Sequence, residues 1–245
     1  MKALIIIPAR GGSKGIKNKN IKLLCGKPLI GYTIEAAKKS KLADRIVVST
    51  DDEKIAAVAK DYGIAVIKRP AEYSTDSAPI ELALRHAVKY LKKDEDYYPD
   101  IVVWLQANVP IRKSGQIDSV INKLIESKAD SAITVTEVTQ RPEYVMQMKD
   151  DGRLVKLSKN IPQLRTDKYR RQEFGDGGLY IADGAVLAMK TSALMDSEGR
   201  GGAHVYLGED VRGVVEEPRY ALEVDEPFDF EIVEGLLKKR KNRSA

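Results

Sequence analysis

The chain has 245 residues, 43% of them hydrophobic and 31% charged, with a formal charge of +5: the composition of an ordinary folded protein with enough chain for a substantial core. Part of the positive charge is the run Lys238-Lys239-Arg240-Lys241-Asn242-Arg243, which reads as a solvated helix end, and aromatics are not interleaved with cations, so no nucleic-acid partner is expected. One cysteine excludes an intrachain disulfide, no segment approaches the roughly 18 apolar residues of a membrane span, and Pro8 breaks the first apolar run too early for a signal peptide, so a cytoplasmic protein without membrane contact is expected.

The first predicted strand, residues 3–7, runs directly into Pro8-Ala9-Arg10-Gly11-Gly12-Ser13-Lys14-Gly15, followed by Ile16-Lys17-Asn18-Lys19-Asn20. Gly11, Gly12 and Gly15 allow backbone angles and close approach that side chains would block. Successive N–H groups in such a loop form a concave anion nest, and Arg10, Lys14, Lys17 and Lys19 add fixed positive charge. Ser13 and Asn20 add neutral hydrogen-bonding groups. A polyphosphate is the expected guest. Two familiar phosphate loops are excluded. Gly26-Lys27 is followed by Pro28 rather than Ser or Thr, and Gly11 and Gly12 are adjacent where a dinucleotide fingerprint needs a spacer. Cys25, beside Leu23 and Leu24, reads as a small core residue.

Apolar runs at 45–49, 65–67, 101–105 and 131–136 predict further strands, and they lack strict alternation, as strands buried on both faces should. Helical patterns lie between them, at about 29–40, 53–62, 80–92 and 117–128, with Ser40, Asp51 and Ser114 as boundary or capping residues. This alternation predicts an α/β fold, a mainly parallel sheet with helices on both faces. From 137 to 176 the chain turns polar and irregular, read as a lobe inserted into a single domain of residues 1–245. Periodicity returns at 178–181 and 185–189. A strand pair is predicted at 204–207 and 220–224, then a closing helix at about 228–239.

Ligands of open parallel sheets bind beyond the carboxyl ends of the strands. The candidates are therefore the loop from Arg10 to Asn20, Asp51-Asp52, Arg69, and Gln106-Ala107-Asn108-Val109-Pro110-Ile111-Arg112. Glu223 and Asp225, spaced i, i+2, are expected to share one face of a strand, where two carboxylates suit Mg²⁺. His86, in a helical pattern, and His204, in a short predicted strand, lack metal-like partners, and no Gly-x-Ser-x-Gly elbow suggests a hydrolase.

Taken together, these residues resemble the bacterial acylneuraminate cytidylyltransferase family, the CMP-sialic acid and CMP-nonulosonate synthetases. The resemblance covers nearly the whole chain. It is carried by Ile7 to Gly15 with Lys19-Asn20, then Gly26-Lys27-Pro28-Leu29-Ile30, Val48-Ser49-Thr50-Asp51-Asp52 and Lys68-Arg69-Pro70-Ala71-Glu72, with Asp76 close behind. Leu105-Gln106, Pro110-Ile111-Arg112, Gly177-Gly178-Leu179-Tyr180-Ile181 and Glu223-x-Asp225 complete it.

That resemblance implies a Rossmann-like, doubly wound fold of the nucleotide-diphospho-sugar transferase type, CTP as donor, Mg²⁺ as cofactor and a homodimer. The hydroxyl of an acidic sugar attacks the α-phosphate of CTP and pyrophosphate leaves. Ala9, Arg10, Gly11, Gly12, Ser13, Lys14, Lys19, Asn20 and Arg69 are implied to bind nucleotide. Arg10, Lys19 and Asp225 are the implied catalytic residues, with Glu223 and Asp225 on the metal. Gln106, Asn108, Tyr144, Arg165 and Arg170 are the expected acceptor contacts, with Lys168 and Arg171 as further cations of the lobe, which is expected to serve dimerisation and acceptor binding. The chain departs from the family pattern at Asn108 and Val109, which replace a threonine and a serine. Tyr144 stands near a family lysine, and Glu223 replaces the first metal aspartate. The general base is left open among Asp76, Asp176 and a metal-bound hydroxide. Rival readings are a nucleotidyltransferase with another nucleotide or a sugar-phosphate or phosphonate acceptor, and a non-catalytic nucleotide-binding regulator.

Overall fold

The computed structural model describes residues 1–138, 145–156 and 178–243. The chain divides into two compact units, Met1–Val135 with Ala182–Ala245, and Thr136–Ile181. The larger unit is built on a seven-stranded sheet. Its strands, in the order β11-β7-β10-β6-β1-β4-β5, are β1 (Ala3–Pro8), β4 (Arg45–Thr50), β5 (Ala65–Lys68), β6 (Ile101–Trp104), β7 (Ser131–Glu137), β10 (Tyr180–Lys190) and β11 (Val211–Val215). The pairs β1–β4, β1–β6, β4–β5 and β7–β11 are parallel, and β10 runs antiparallel to β6. The helices are α1 (Leu29–Lys38), α2 (Glu53–Asp61), α3 (Ile80–Glu95), α4 (Gln116–Ser127), α5 (Thr191–Asp196) and α6 (Pro227–Arg243). The expected mainly parallel, doubly wound sheet is present.

The unbroken apolar run of β1 has a simple cause: both of its faces are covered. Ile5 and Ile7 pack with Ile30 and Ile34 of α1 and Val120 of α4, while Leu4 and Ile6 pack with Leu84, Val88 and Leu91 of α3. A third cluster joins Ile16 of the glycine-rich loop to Leu24, Ile111, Val224 and Val233 of α6, tying the end of the described chain to its beginning. Because β4 lies on one side of β1 and β6 on the other, the chain reverses its direction of winding beside β1. The crevice at such a switch point is where open α/β sheets bind ligands.

Several local expectations are corrected. The predicted strand at 204–207 is a 3-10 turn, Val205–Leu207, which buries Tyr206 in the core after a left-handed His204 (φ 61°). The expected partner at 220–224 is a 3-10 turn, Pro218–Tyr220, followed by irregular chain. Apolar residues two apart look like a strand, but here one side chain plugs the core. The edge strand on that side is β11 instead, whose three valines are interrupted by Arg212 and Gly213 and are largely exposed. The runs at 178–181 and 185–189 contribute to the single strand β10.

Cys25 is partly exposed, not a core residue. With Gly26 it turns the two-stranded hairpin of β2 (Leu23–Leu24) and β3 (Lys27–Pro28), and both have positive φ, 50° and 82°, as a type I′ hairpin turn needs. The cap of α2 is Asp52 rather than Asp51, its Oδ1 accepting from the N–H of Lys54 (2.8 Å) and Ile55 (2.9 Å). Gly115 (φ 76°), not Ser114, precedes α4. Ser40 follows α1, where its hydroxyl donates to Asp118 and accepts from the Ala43 N–H. The smaller unit contains a hairpin of β8 (Met146–Met148) and β9 (Leu154–Lys156), with Met146, Met148 and Leu154 exposed.

Candidate active site

The switch-point crevice is a cleft of about 460 Å³, lined by the loop after β1, the segment after β6 and the chain just before α6. The Ala9 N–H donates to Ser49 O (2.9 Å) and fixes the loop's start to β4. Its far end is a 3-10 turn, Lys19–Ile21, entered through a left-handed Asn18 (φ 55°). Asn20 is buried and its Nδ2 donates to Arg10 O (3.0 Å), folding the loop across its base. Among the described residues, the N–H groups of Gly12, Lys14 and Gly15 donate to no protein acceptor. They are the free donors that an anion nest requires.

Two glycines here are dictated by close approach. A Cβ on Gly11 would sit 2.6 Å from Asp52 Oδ2, and one on Gly15 would sit 2.4 Å from the backbone oxygen of Asp225. The second obstacle is main chain and cannot swing away. Gly15→Ala is therefore expected to push the loop off the Asp225 segment, cost about 1–3 kcal/mol of stability, and weaken nucleotide binding. Chemical denaturation and a nucleotide titration of the variant check this; parental values in both would refute it.

Opposite the loop stand the two carboxylates. They are not on a strand: Glu223 and Asp225 lie in irregular chain held by Val224, whose N–H donates to Asn108 O (2.9 Å). Asp225 Oδ1 accepts from Lys19 Nζ (2.7 Å) and Asn108 Nδ2 (2.9 Å). Asp229 Oδ2, at the start of α6, accepts from the N–H groups of Asp225 (3.0 Å) and Glu226 (2.8 Å). Burial, then the charge of Asp225, raises the pKa of the Glu223 carboxyl. Burial pushes Asp225 the same way, but hydrogen bonds and charge from Lys19, with Asn108, leave it below the ordinary aspartate value.

Gln106 and Asn108 both line the cleft. Gly184 of β10, which the sequence reading passed over, makes room for Gln106. Its φ is 68°, and a Cβ there would lie 2.2 Å from Gln106 Nε2 and 2.7 Å from Glu223 Oε1. A glycine standing between two apolar runs was the available signal for such an approach. The segment after β6 is clamped by Arg112, which donates to Val109 O, to Gln106 O (2.8 Å), to Ala185 O (3.0 Å) and to Thr33 Oγ1 (2.8 Å). Burial lowers the pKa of this guanidinium, and the nearby carboxylate of Asp183 opposes that.

Arg69 is placed differently. It is 5% exposed, absent from the cleft wall, and 3.6 Å from Asp51 Oδ1. Its link to the loop runs through Asp51, which accepts from the Gly11 N–H (3.2 Å). Its Nε and Nη2 have no hydrogen-bond partner among the described residues. Ala9, Arg10, Ser13, Lys14, Lys19 and Asn20 all line the cleft. Tyr144, Arg165, Lys168, Arg170, Arg171 and Asp176 lie outside the described residues. Trp104 and Ile80, not anticipated, add an apolar stretch to the wall.

Residues 4–174 match the model of the family described as Cytidylyltransferase. The chain belongs to that family. Among curated proteins, it is 31% identical over 241 residues to the post-translational flagellin modification protein B of Campylobacter coli, covering 97% of this chain and 95% of that one. It is 29% identical over 244 residues to the N-acylneuraminate cytidylyltransferase of Escherichia coli, covering 99% of this chain and 53% of that one. The chain thus spans about half the length of that second relative. Among solved structures, a CMP:2-keto-3-deoxy-manno-octonic acid synthetase complexed with CTP superposes with a TM-score of 0.71 at 20% identity, covering 98% of this chain and all of that one. The Rossmann-like nucleotidyltransferase architecture is common to both.

Proposed function

We propose that this cytidylyltransferase moves CMP from CTP to a hydroxyl of an acidic, sialic-acid-like nonulosonate and releases pyrophosphate. The observation that carries the reading is the cleft itself, which sets the cationic glycine-rich loop against Glu223, Asp225 and the amides of Gln106 and Asn108. The N-acylneuraminate relative supports the choice of acceptor class.

Among the described residues no group of three or more His, Cys, Asp or Glu side chains gathers to hold a metal. The Glu223–Asp225 pair nevertheless fits Mg²⁺, which commonly takes one or two carboxylates and completes its shell with water and phosphate oxygens. Burial and then the neighbouring charge of Asp225 raise the pKa of Glu223, and a divalent cation would offset both. Bound there, Mg²⁺ would neutralise charge on the α-phosphate. The protein's own groups do the rest. Arg10, Ser13, Lys14 and the free N–H groups of the loop hold the β- and γ-phosphates. Lys19, anchored by Asp225, faces the phosphate under attack, and Gln106 and Asn108 orient the acceptor. The acceptor oxygen forms a bond to the α-phosphorus as the bond to pyrophosphate breaks, and the acceptor's proton is lost. This chemistry depends on positioning and charge neutralisation, which fixed cations supply. In the nucleotide-free structure, hydrogen bonds from Lys14 and then Arg10 hold the pKa of Asp76 down.

The same proposal includes a cytoplasmic homodimer in which residues 137–176 serve dimerisation and acceptor binding. The exposed Met146, Met148 and Leu154 support an interface there. The test is pyrophosphate release with Mg²⁺, each of the four nucleoside triphosphates being paired with a panel of acidic sugars. CTP-specific release with a nonulosonic acid is expected. CTP binding with silence across the panel would favour a sugar-phosphate or phosphonate acceptor, or a regulator without turnover.

A further inference from the structure

Two of the cations that line the cleft are already engaged. Arg10 Nη1 contacts Oδ1 of Asp76, and Lys14 Nζ lies 2.5 Å from Oδ2 of the same residue. Asp76 reaches them from the chain between a short 3-10 turn, Ala71–Tyr73, and α3, more than 60 residues away in sequence. One carboxylate therefore spans two cations with its two oxygens, as two non-bridging oxygens of a phosphate would. The free N–H groups of Gly12, Lys14 and Gly15 belong to the same loop.

We propose that Asp76 is an internal competitor for the triphosphate: it holds Arg10 and Lys14 in the nucleotide-free protein and is displaced when phosphates bind. This rests on the reading of Arg10 and Lys14 as triphosphate ligands and adds to it a rule about which anions enter. Exposed ion pairs contribute little to stability, and the Asp76, Arg10 and Lys14 side chains are 44%, 34% and 79% exposed. The contact is thus weak as a structural tie. As a competitor it is well matched, because only a ligand bringing several negative charges to both cations repays its loss. A monophosphate gains little by displacing it. A triphosphate gains much. When pyrophosphate leaves, the carboxylate returns to the two cations and opposes its rebinding.

The test is equilibrium binding of CTP, ATP, GTP, UTP, CMP and pyrophosphate to the parent and to Asp76→Asn, followed by calorimetry or by the emission of Trp104, the only tryptophan. CTP is expected to bind the variant about five- to tenfold more tightly, the order produced by deleting one unit charge beside a polyanion at an exposed site. The same factor is expected for the other triphosphates and for pyrophosphate, whereas CMP should change less than about twofold. Asp76→Glu, which restores the carboxylate, should return affinity toward the parental value. Unchanged or weaker CTP binding in Asp76→Asn would overturn the proposal while leaving the loop's role intact. Equal gains for all triphosphates without CTP turnover would uphold it and instead overturn the choice of reaction. Failure of both proteins to bind any triphosphate would overturn the two together.

Discussion

Replacing Lys19 with methionine is expected to lower turnover by roughly 10²–10³-fold, the usual cost of deleting one preorganised donor aimed at developing negative charge. Its Nζ is 2.7 Å from Asp225 Oδ1 and its side chain is only 15% exposed, so the ammonium is held rather than left to wander. Methionine keeps the apolar stem and removes the charge. Stability should change little, because Asp225 remains half-open to solvent and keeps its bond from Asn108. Steady-state pyrophosphate release and thermal unfolding, measured on the same preparation, separate the two effects. A variant that lost its fold as well as its activity, or one that kept parental turnover, would contradict the assignment of Lys19 as a group acting on the reacting phosphate.

Arg112→Met should do the reverse, damaging the fold first. The guanidinium donates to three backbone carbonyls and a threonine hydroxyl, from segments after β6, in β10 and in α1. Removing it leaves those acceptors and the buried carboxylate of Asp183 without their cation, a loss of about 3–5 kcal/mol. For a chain of this size that corresponds to a fall of roughly 6–20 °C in the unfolding midpoint. Below that midpoint the variant should still bind nucleotide, with KM for the acceptor raised more than KM for CTP, because Gln106 and Asn108 lie in the segment that Arg112 holds. A shift under about 2 °C would mean that the carbonyls find other donors.

Arg112 also marks where reading the sequence falls short. The residue stood in a recognised motif, Pro110-Ile111-Arg112, but nothing local says that its side chain turns inward to carbonyls of the segment after β6 and of β10 and to a hydroxyl of α1. The glycine-rich loop was legible because its signal is local: a strand running into glycines and cations. The sheet was legible for a similar reason, since strands covered on both faces must be apolar at every position, as β1 is. Illegible were the features fixed by distant partners. Gly184 looks like any glycine until Gln106 and Glu223 are brought against it. Glu223 and Asp225 converge as expected, but through a backbone bond to Asn108 rather than through a strand's pleat. Asp51 and Asp52 are neighbours with different tasks: Asp52, directly before Glu53, caps α2, whereas Asp51 accepts from the distant Gly11 N–H. The 3-10 turn near Tyr206 imitated a strand because Val205, Tyr206 and Leu207 form a short apolar run, of which only Tyr206 is fully buried. Arg69, implied to bind nucleotide, is buried beside Asp51, a placement that its position after β5 did not foretell.

The pairing of Lys19 with Asp225 joins residues 206 positions apart. During synthesis at about 5–20 residues per second, the phosphate loop waits roughly 10–40 s for its carboxylates to be made. Until then Ile16 has neither Val224 nor Val233 to pack against, and Lys19 has no anchor. Asp76, by contrast, is translated early. The acid that meets the loop cations is therefore made early, and the carboxylate pair that completes the cleft is made last.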